Sequence, residues 1–136
     1  MSPYTLPDSF LDNLLHDDTP CGDATSFALG IAGQSARLHC RARYDMVLCG
    51  SEEALRMGQL RGLRAVNSCR ASGDRLQAGD DILCLEGEAG AIHSVWKTAQ
   101  TLMEYLSGIA TATAQIVTAA RQGNPGASVV CTRKNF

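Results

Sequence analysis

The sequence predicts an α+β fold, and three observations carry that prediction. Residues 36–42 alternate small or apolar side chains with Arg37, His39 and Arg41, the period-two pattern of a strand with one buried face. Val95, Trp96, Ala99, Leu102, Met103 and Leu106 recur at three- and four-residue steps, which places them on one stripe of a helix. Between the two, Gly73-Asp74 and Gly79-Asp80 punctuate short apolar runs and read as turns between strands.

In chain order, Phe10, Leu11, Leu14 and Leu15 share one helical face, with Asp8 or Ser9 available as the cap. The polar stretch of residues 17–26, rich in Asp and broken by Pro20 and Gly22, reads as turn and loop. The strand at 36–42 follows. Residues 46–49 are apolar and end at Gly50, which suggests a second strand. Ser51 then caps a helix over 52–60, whose first turn holds Glu52 and Glu53 where the helix dipole favours acids. Residues 65–70 can form a strand closed by Gly73-Asp74, and residues 76–86 read as strand, turn, strand. After Gly87 and Gly90 comes the amphipathic helix, interrupted at Ser107-Gly108. A second helix of small residues over 110–120 is stopped by Asn124-Pro125-Gly126. Val129-Val130 opens a last strand that ends in Cys131-Thr132-Arg133-Lys134. The order is helix, strands with one helix among them, a long helical region, then a strand: α+β, with the start of a β/α unit at the end.

Composition narrows the function classes. The formal net charge is −2 and the basic residues are scattered, which argues against a broad grip on nucleic acid or anionic lipid. Residues 102–120 are mildly apolar, but Glu104, Gln115 and several hydroxyls break the run, so they do not read as a membrane span. The six cysteines include no pair closer than nine residues, which gives neither a redox CxxC nor clustered zinc ligands. No basic segment followed by an apolar core opens the chain. The reading favours reduced structural thiols, Cys40, Cys49 and Cys84 among them, in a cytoplasmic protein. His16, His39 and His93 show no metal-ligand spacing, and Asp17, Asp18 and Asp23 lack that of a calcium loop, so helix-end and turn roles are favoured.

Three segments stand in a recognisable order. His16-Asp17-Asp18 precedes Gly22-Asp23-Ala24-Thr25-Ser26; Ser107-Gly108-Ile109-Ala110-Thr111-Ala112-Thr113 lies mid-chain; Thr132-Arg133-Lys134 comes near the end. Together they resemble the quinolinate phosphoribosyltransferase family, with its acidic loop, its Ser-Gly-Ile-Ala-Thr motif and its Thr-Arg-Lys. The resemblance spans nearly the whole chain. Where the quinolinate enzymes carry Glu-Arg, this chain has Trp96-Lys97, which is similar to the ModD-type branch linked to molybdenum uptake.

The resemblance implies an N-terminal α+β domain over residues 1–107, strands packed with helices. Residues 108–136 would be the opening helix and first strand of an α/β barrel, truncated here. It implies a phosphoribosyltransferase that transfers phosphoribosyl from phosphoribosyl pyrophosphate to a small anionic acceptor, with pyrophosphate leaving, and that works as a homodimer or higher homo-oligomer. Arg133 and Lys134 are the expected acceptor-binding cations, with Thr132 as a hydroxyl donor beside them and Lys97 reaching a neighbouring subunit's site. Magnesium is the expected cofactor, with ligands beyond Phe136, and the fragment is expected to be inactive alone. Arginine offers carboxylates a planar fork and lysine a point charge, so Lys97 weakens the case for quinolinate itself. Apart from the resemblance, Lys97 is a surface lysine, Trp96 a packing residue, and Ser107-Gly108 a site of close helix packing rather than an anion-binding helix start. Two alternatives remain: a true quinolinate enzyme of NAD biosynthesis, and a non-catalytic binding or dimerisation module. A biotin or lipoate carrier is disfavoured, because no lysine precedes Lys97 to occupy a hairpin tip.

Overall fold

The computed structural model describes residues 5–132. The elements run α1 (Asp8–Asp18), α2 (Ala24–Leu29), β1 (Ser35–Arg41), β2 (Met46–Val47), α3 (Ser51–Leu60), β3 (Arg64–Ala65), β4 (Arg75–Leu76), β5 (Asp81–Glu88), α4 (Ala89–His93) and α5 (Trp96–Gly123). The α+β prediction holds.

Strand β5 is central. Ile82, Leu83, Cys84 and Leu85 are buried in succession, which requires cover on both faces of β5, and β5 also has a strand on either side, in the order β1-β5-β3, all antiparallel. The register sets Leu38 opposite Leu85 and Cys40 opposite Leu83 on one face, and Arg37 opposite Glu86 on the other. Glu86 faces Arg64 of β3 as well, so one carboxylate spans two arginines, at 3.2 and 2.7 Å. These exposed pairs contribute little stability, but any slip of register would break both.

Helix α1 lies on α3, and α3 lies on the sheet. Leu11 and Leu15 of α1, Met57 of α3 and Leu85 of β5 are all fully buried. Gly58 lets α3 approach β5, since a Cβ there would stand 2.6 Å from Leu85 Cδ1. At the top of α1, Arg56 Nη1 donates to Leu6 O at 2.7 Å, Arg56 also pairs with Asp8, and the Leu6 amide donates to Glu53. Strands β2 and β4 form a separate two-stranded ribbon, with Met46 opposite Leu76.

Several expectations are corrected. Asp8 does not cap α1; Pro7 precedes it, and Asp8 is drawn to Arg56 instead. The stretch 17–26 is not all loop, because α1 continues to Asp18 and α2 begins at Ala24. Ser51 is the first residue of α3 rather than its cap. Gly50 holds the cap position with φ of 89°, and the Ser51 hydroxyl donates to Arg70 O at 2.7 Å. The strand expected at 65–70 shortens to β3. The amides of Val66 and Arg70 bond Cys84 O and Ile82 O, so four steps on one side face two on the other and the chain bulges out of register. The strands flanking Gly79-Asp80 belong to different sheets. The interruption at Ser107-Gly108 is absent: α5 is one helix of 28 residues, ended as expected at Asn124. Val129-Val130 forms no strand, and Val130 is 88% exposed.

Gly50 is under two constraints: its left-handed backbone and Leu106 Cδ1 at 2.9 Å from where a Cβ would stand. Gly50→Ala should therefore lower the unfolding free energy by about 1–2 kcal/mol, from backbone strain alone, in urea denaturation. An unchanged midpoint would mean that the β2–α3 corner is not held as described.

Candidate functional site

Helix α5 is attached to β2 through hydroxyl groups. Ser107 Oγ accepts the Cys49 amide at 2.9 Å and donates back to Cys49 O at 3.2 Å. One turn on, Thr111 Oγ1 accepts the Val47 amide at 2.9 Å. Strand β2 has β4 on one edge only, so these side chains satisfy backbone groups that a third strand would otherwise take. Ser107 is buried, while Gly108 between them is exposed, and a Cβ on it would meet nothing within 4 Å. Of the close-packing role expected for Ser107-Gly108, only Ser107 takes part within this chain.

Gly108 opens onto a groove of about 960 Å³ between one face of α5 and the end of β1 with the β1–β2 connection. Trp96, Gln100, Met103 and Glu104 line the helix side; Arg43, Tyr44 and Asp45 line the other. Two cations rest on aromatic rings that line this groove. Arg43 lies 5.4 Å from the Tyr44 ring centroid and Lys97 5.5 Å from that of Trp96. Trp96 is 42% exposed and is not a core residue.

The expected site residues are widely spaced along the chain. Lys97 is exposed in the first turn of α5, and Thr132 is exposed beyond its end. The helix between them is roughly 40 Å long at 1.5 Å per residue. Arg133 and Lys134 lie outside the described residues. Among the described residues no three His, Cys, Asp or Glu side chains come together as a metal site. No described helix is long and apolar enough to cross a membrane.

The acidic loop has a role that its sequence did not reveal. Asp23 caps α2, accepting the Ser26 amide at 2.6 Å. His93 Nδ1 sits 2.8 Å from Ser26 Oγ and 3.2 Å from Asp23 Oδ2. The Ser26 hydroxyl, then its amide, then His93 hold the Asp23 carboxyl below its ordinary pKa. An ionised carboxylate only accepts, so the contact between Nδ1 and Asp23 is a hydrogen bond in the tautomer that carries its proton on Nδ1. The cluster ties α2 to α4. Nothing in the sequence signals it, because Asp23 and His93 are 70 residues apart. A second carboxylate, Glu52, is pushed up by burial, but hydrogen bonds from the Ser72 hydroxyl and amide outweigh that and leave its pKa lowered. All six cysteines are free thiols. Burial, then Cys84 and Cys69, raise the Cys40 thiol to about 11, which keeps it protonated and unreactive.

Residues 23–107 match the sequence profile of the quinolinate phosphoribosyl transferase N-terminal domain. The chain belongs to the quinolinate phosphoribosyltransferase family. It is 40% identical over 132 residues to a Rhodobacter capsulatus protein that carries the name pyrophosphorylase ModD, covering 97% of this chain and 51% of that relative. A Methanocaldococcus jannaschii protein named nicotinate-nucleotide pyrophosphorylase (carboxylating) is 32% identical over 136 residues, covering 100% and 46%. The crystal structure of NadC from Streptococcus pyogenes superposes with a TM-score of 0.79 at 27% identity, over 88% of this chain and 44% of NadC. The chain spans about half the length of the curated relatives it matches. In this member of the family, the Ser-Gly-Ile-Ala-Thr motif is thus a helix-to-strand clamp and not a helix break.

Two outcomes test this site. Ser107→Ala leaves the Cys49 amide and Thr111→Val the Val47 amide unpaired, and each should cost about 1–3 kcal/mol, whereas Gly108→Ala should cost nothing and add up to about 1 kcal/mol of helix stability. Chemical denaturation of the three variants checks the contrast. Because folding lowers the Asp23 pKa from 3.8, its stabilisation is present above about pH 3.8 and is lost as pH falls through the depressed folded value. The stability gap between the parent chain and Asp23→Asn should therefore hold steady well above pH 3.8 and shrink as the pH falls below it. A gap independent of pH would remove the carboxylate from this role.

Proposed function

We propose that this chain is the N-terminal portion of a ModD-type phosphoribosyltransferase. In that reading a nucleophilic atom of a small anionic acceptor attacks C1 of the ribosyl donor, a new bond to the acceptor forms, and the bond to pyrophosphate breaks. Arg133 and Lys134, with Thr132, would neutralise the acceptor's negative groups, and Lys97 would do so in the neighbouring subunit's site. Residues 108–136 would lead into a barrel. Magnesium would be the partner of the pyrophosphate leaving group, and no cluster of metal ligands forms among the described residues.

The observation that carries the reading is the unbroken course of α5, which separates Lys97, in its first turn, from Thr132, beyond its end. That separation supports one chain contributing to two sites of a homodimer or higher homo-oligomer. The branch is read from Trp96-Lys97; identities of 40% and 31% to two ModD-named relatives, against 32% to the nicotinate-nucleotide pyrophosphorylase, do not by themselves separate the two. The second reading, a quinolinate enzyme, draws support from the likeness to NadC.

The trans arrangement is tested by mixing two inactive variants, Lys97→Ala and Arg133→Ala, of the full chain its gene encodes. Half of the re-formed dimers are mixed and each has one whole site, so about a quarter of the parent pyrophosphate release should return. A mixture that stays inactive rules the shared site out. Titration with quinolinate separates the branches: micromolar binding that needs both carboxylates favours the quinolinate enzyme, and its absence favours the ModD type. The 136-residue chain alone should release no pyrophosphate.

A further inference from the structure

We propose that Trp96 is a positioning residue for Lys97, so that an indole face rather than a carboxylate sets where this ammonium sits. The inference rests on the reading of Lys97 as an anion-binding cation. Lys97 Nζ lies 5.5 Å from the Trp96 ring centroid, within the range over which the negative face of an aromatic ring attracts a cation. Arg37, Arg41, Arg56, Arg61 and Arg64 each meet a carboxylate. Lys97, like Arg43, Arg70, Arg75 and Arg121, makes no ion pair among the described residues, and its ammonium rests on a ring. The difference matters chemically. A carboxylate neutralises a cation and competes with any incoming anion, whereas a ring restrains the cation and leaves its charge available.

The backbone beneath the pair is well anchored. Val95, immediately before α5, is fully buried, while the Trp96 ring stands 42% exposed on the groove wall. Core packing therefore does not account for the indole. Its neighbour supplies a reason. An arginine carries a rigid planar fork, but a lysine has a flexible four-carbon stem and loses more freedom when it holds a ligand. A ring beside it removes part of that freedom beforehand. An ammonium also offers its donors from a single point, so it addresses one anionic oxygen at a time. The ligand class that fits is one presenting a single carboxylate or phosphate-type group to Lys97, in place of a planar dicarboxylate held fork to fork. The same device recurs on the β1–β2 side of the groove, where Arg43 lies over Tyr44.

The test uses the full chain its gene encodes, with carbon-13 labelled lysine. Trp96→Leu removes the ring and keeps an apolar side chain; Trp96→Phe restores a ring face. The Lys97 ε-methylene signals should lie upfield from the ring current, return to their ordinary position in W96L and stay shifted in W96F. With benzoate as a single-carboxylate probe, the dissociation constant should rise about two- to fivefold in W96L and recover in W96F. Unshifted signals in the parent chain overturn the positioning role. If K97A weakens benzoate binding while W96L does not, the positioning role falls and the reading of Lys97 stands. If the parent chain binds no benzoate, or K97A leaves its binding unchanged, that reading falls and takes this inference with it.

Discussion

The arrangement depends on two hydroxyl groups. Strand β2 is two residues long and has β4 on one edge only, so by itself it could not define the position of a 28-residue helix. Ser107 and Thr111, one turn apart, accept the amides of Cys49 and Val47 and so act as the missing strand. Because the bonds go to main chain, they fix rotation and height of α5 together, which apolar contact alone does loosely. The α5 wall of the groove, the exposed glycine and the Trp96 ring beneath Lys97 all take their positions from that attachment.

The period-two alternation of β1 and the three-and-four spacing of α5 were legible in the sequence, because each reports burial on one face directly. What misled was local chemistry with a distant partner. Gly108 reads as a helix breaker, yet a single glycine costs only about 1 kcal/mol in a helix. The bonds of Ser107 and Thr111 to β2 and the burial of Ala99, Met103 and Ser107 hold the helix across it. Asp8 and Ser51 look like caps, but each was claimed by a group far along the chain, Arg56 and Arg70 O. The helix α2 was invisible because six residues carry too little periodicity to register.

The candidate site was legible through family likeness and much less through chemistry. Lys97 and Thr132 carry no local signature. Their relation to each other appears only once α5 is known to be continuous, with the first turn and the chain beyond its end set far apart. The i, i+4 hydroxyls of Ser107 and Thr111 were a readable signal, two polar groups in step on an otherwise apolar helix face. The tie between Asp23 and His93 was not, since nothing short of the fold brings residues 23 and 93 together.

The unbroken course of α5 also sets a phase. Each residue of an α-helix turns the chain by about 100° and advances it about 1.5 Å. With the helix locked to β2 at Ser107 and Thr111, the direction in which residues 124–132 leave is determined by the number of residues that follow the clamp. A single insertion there would swing that segment to another side of the domain while every contact of the α+β core stayed intact. Length after the clamp is therefore as specific a property of this chain as any side chain on it.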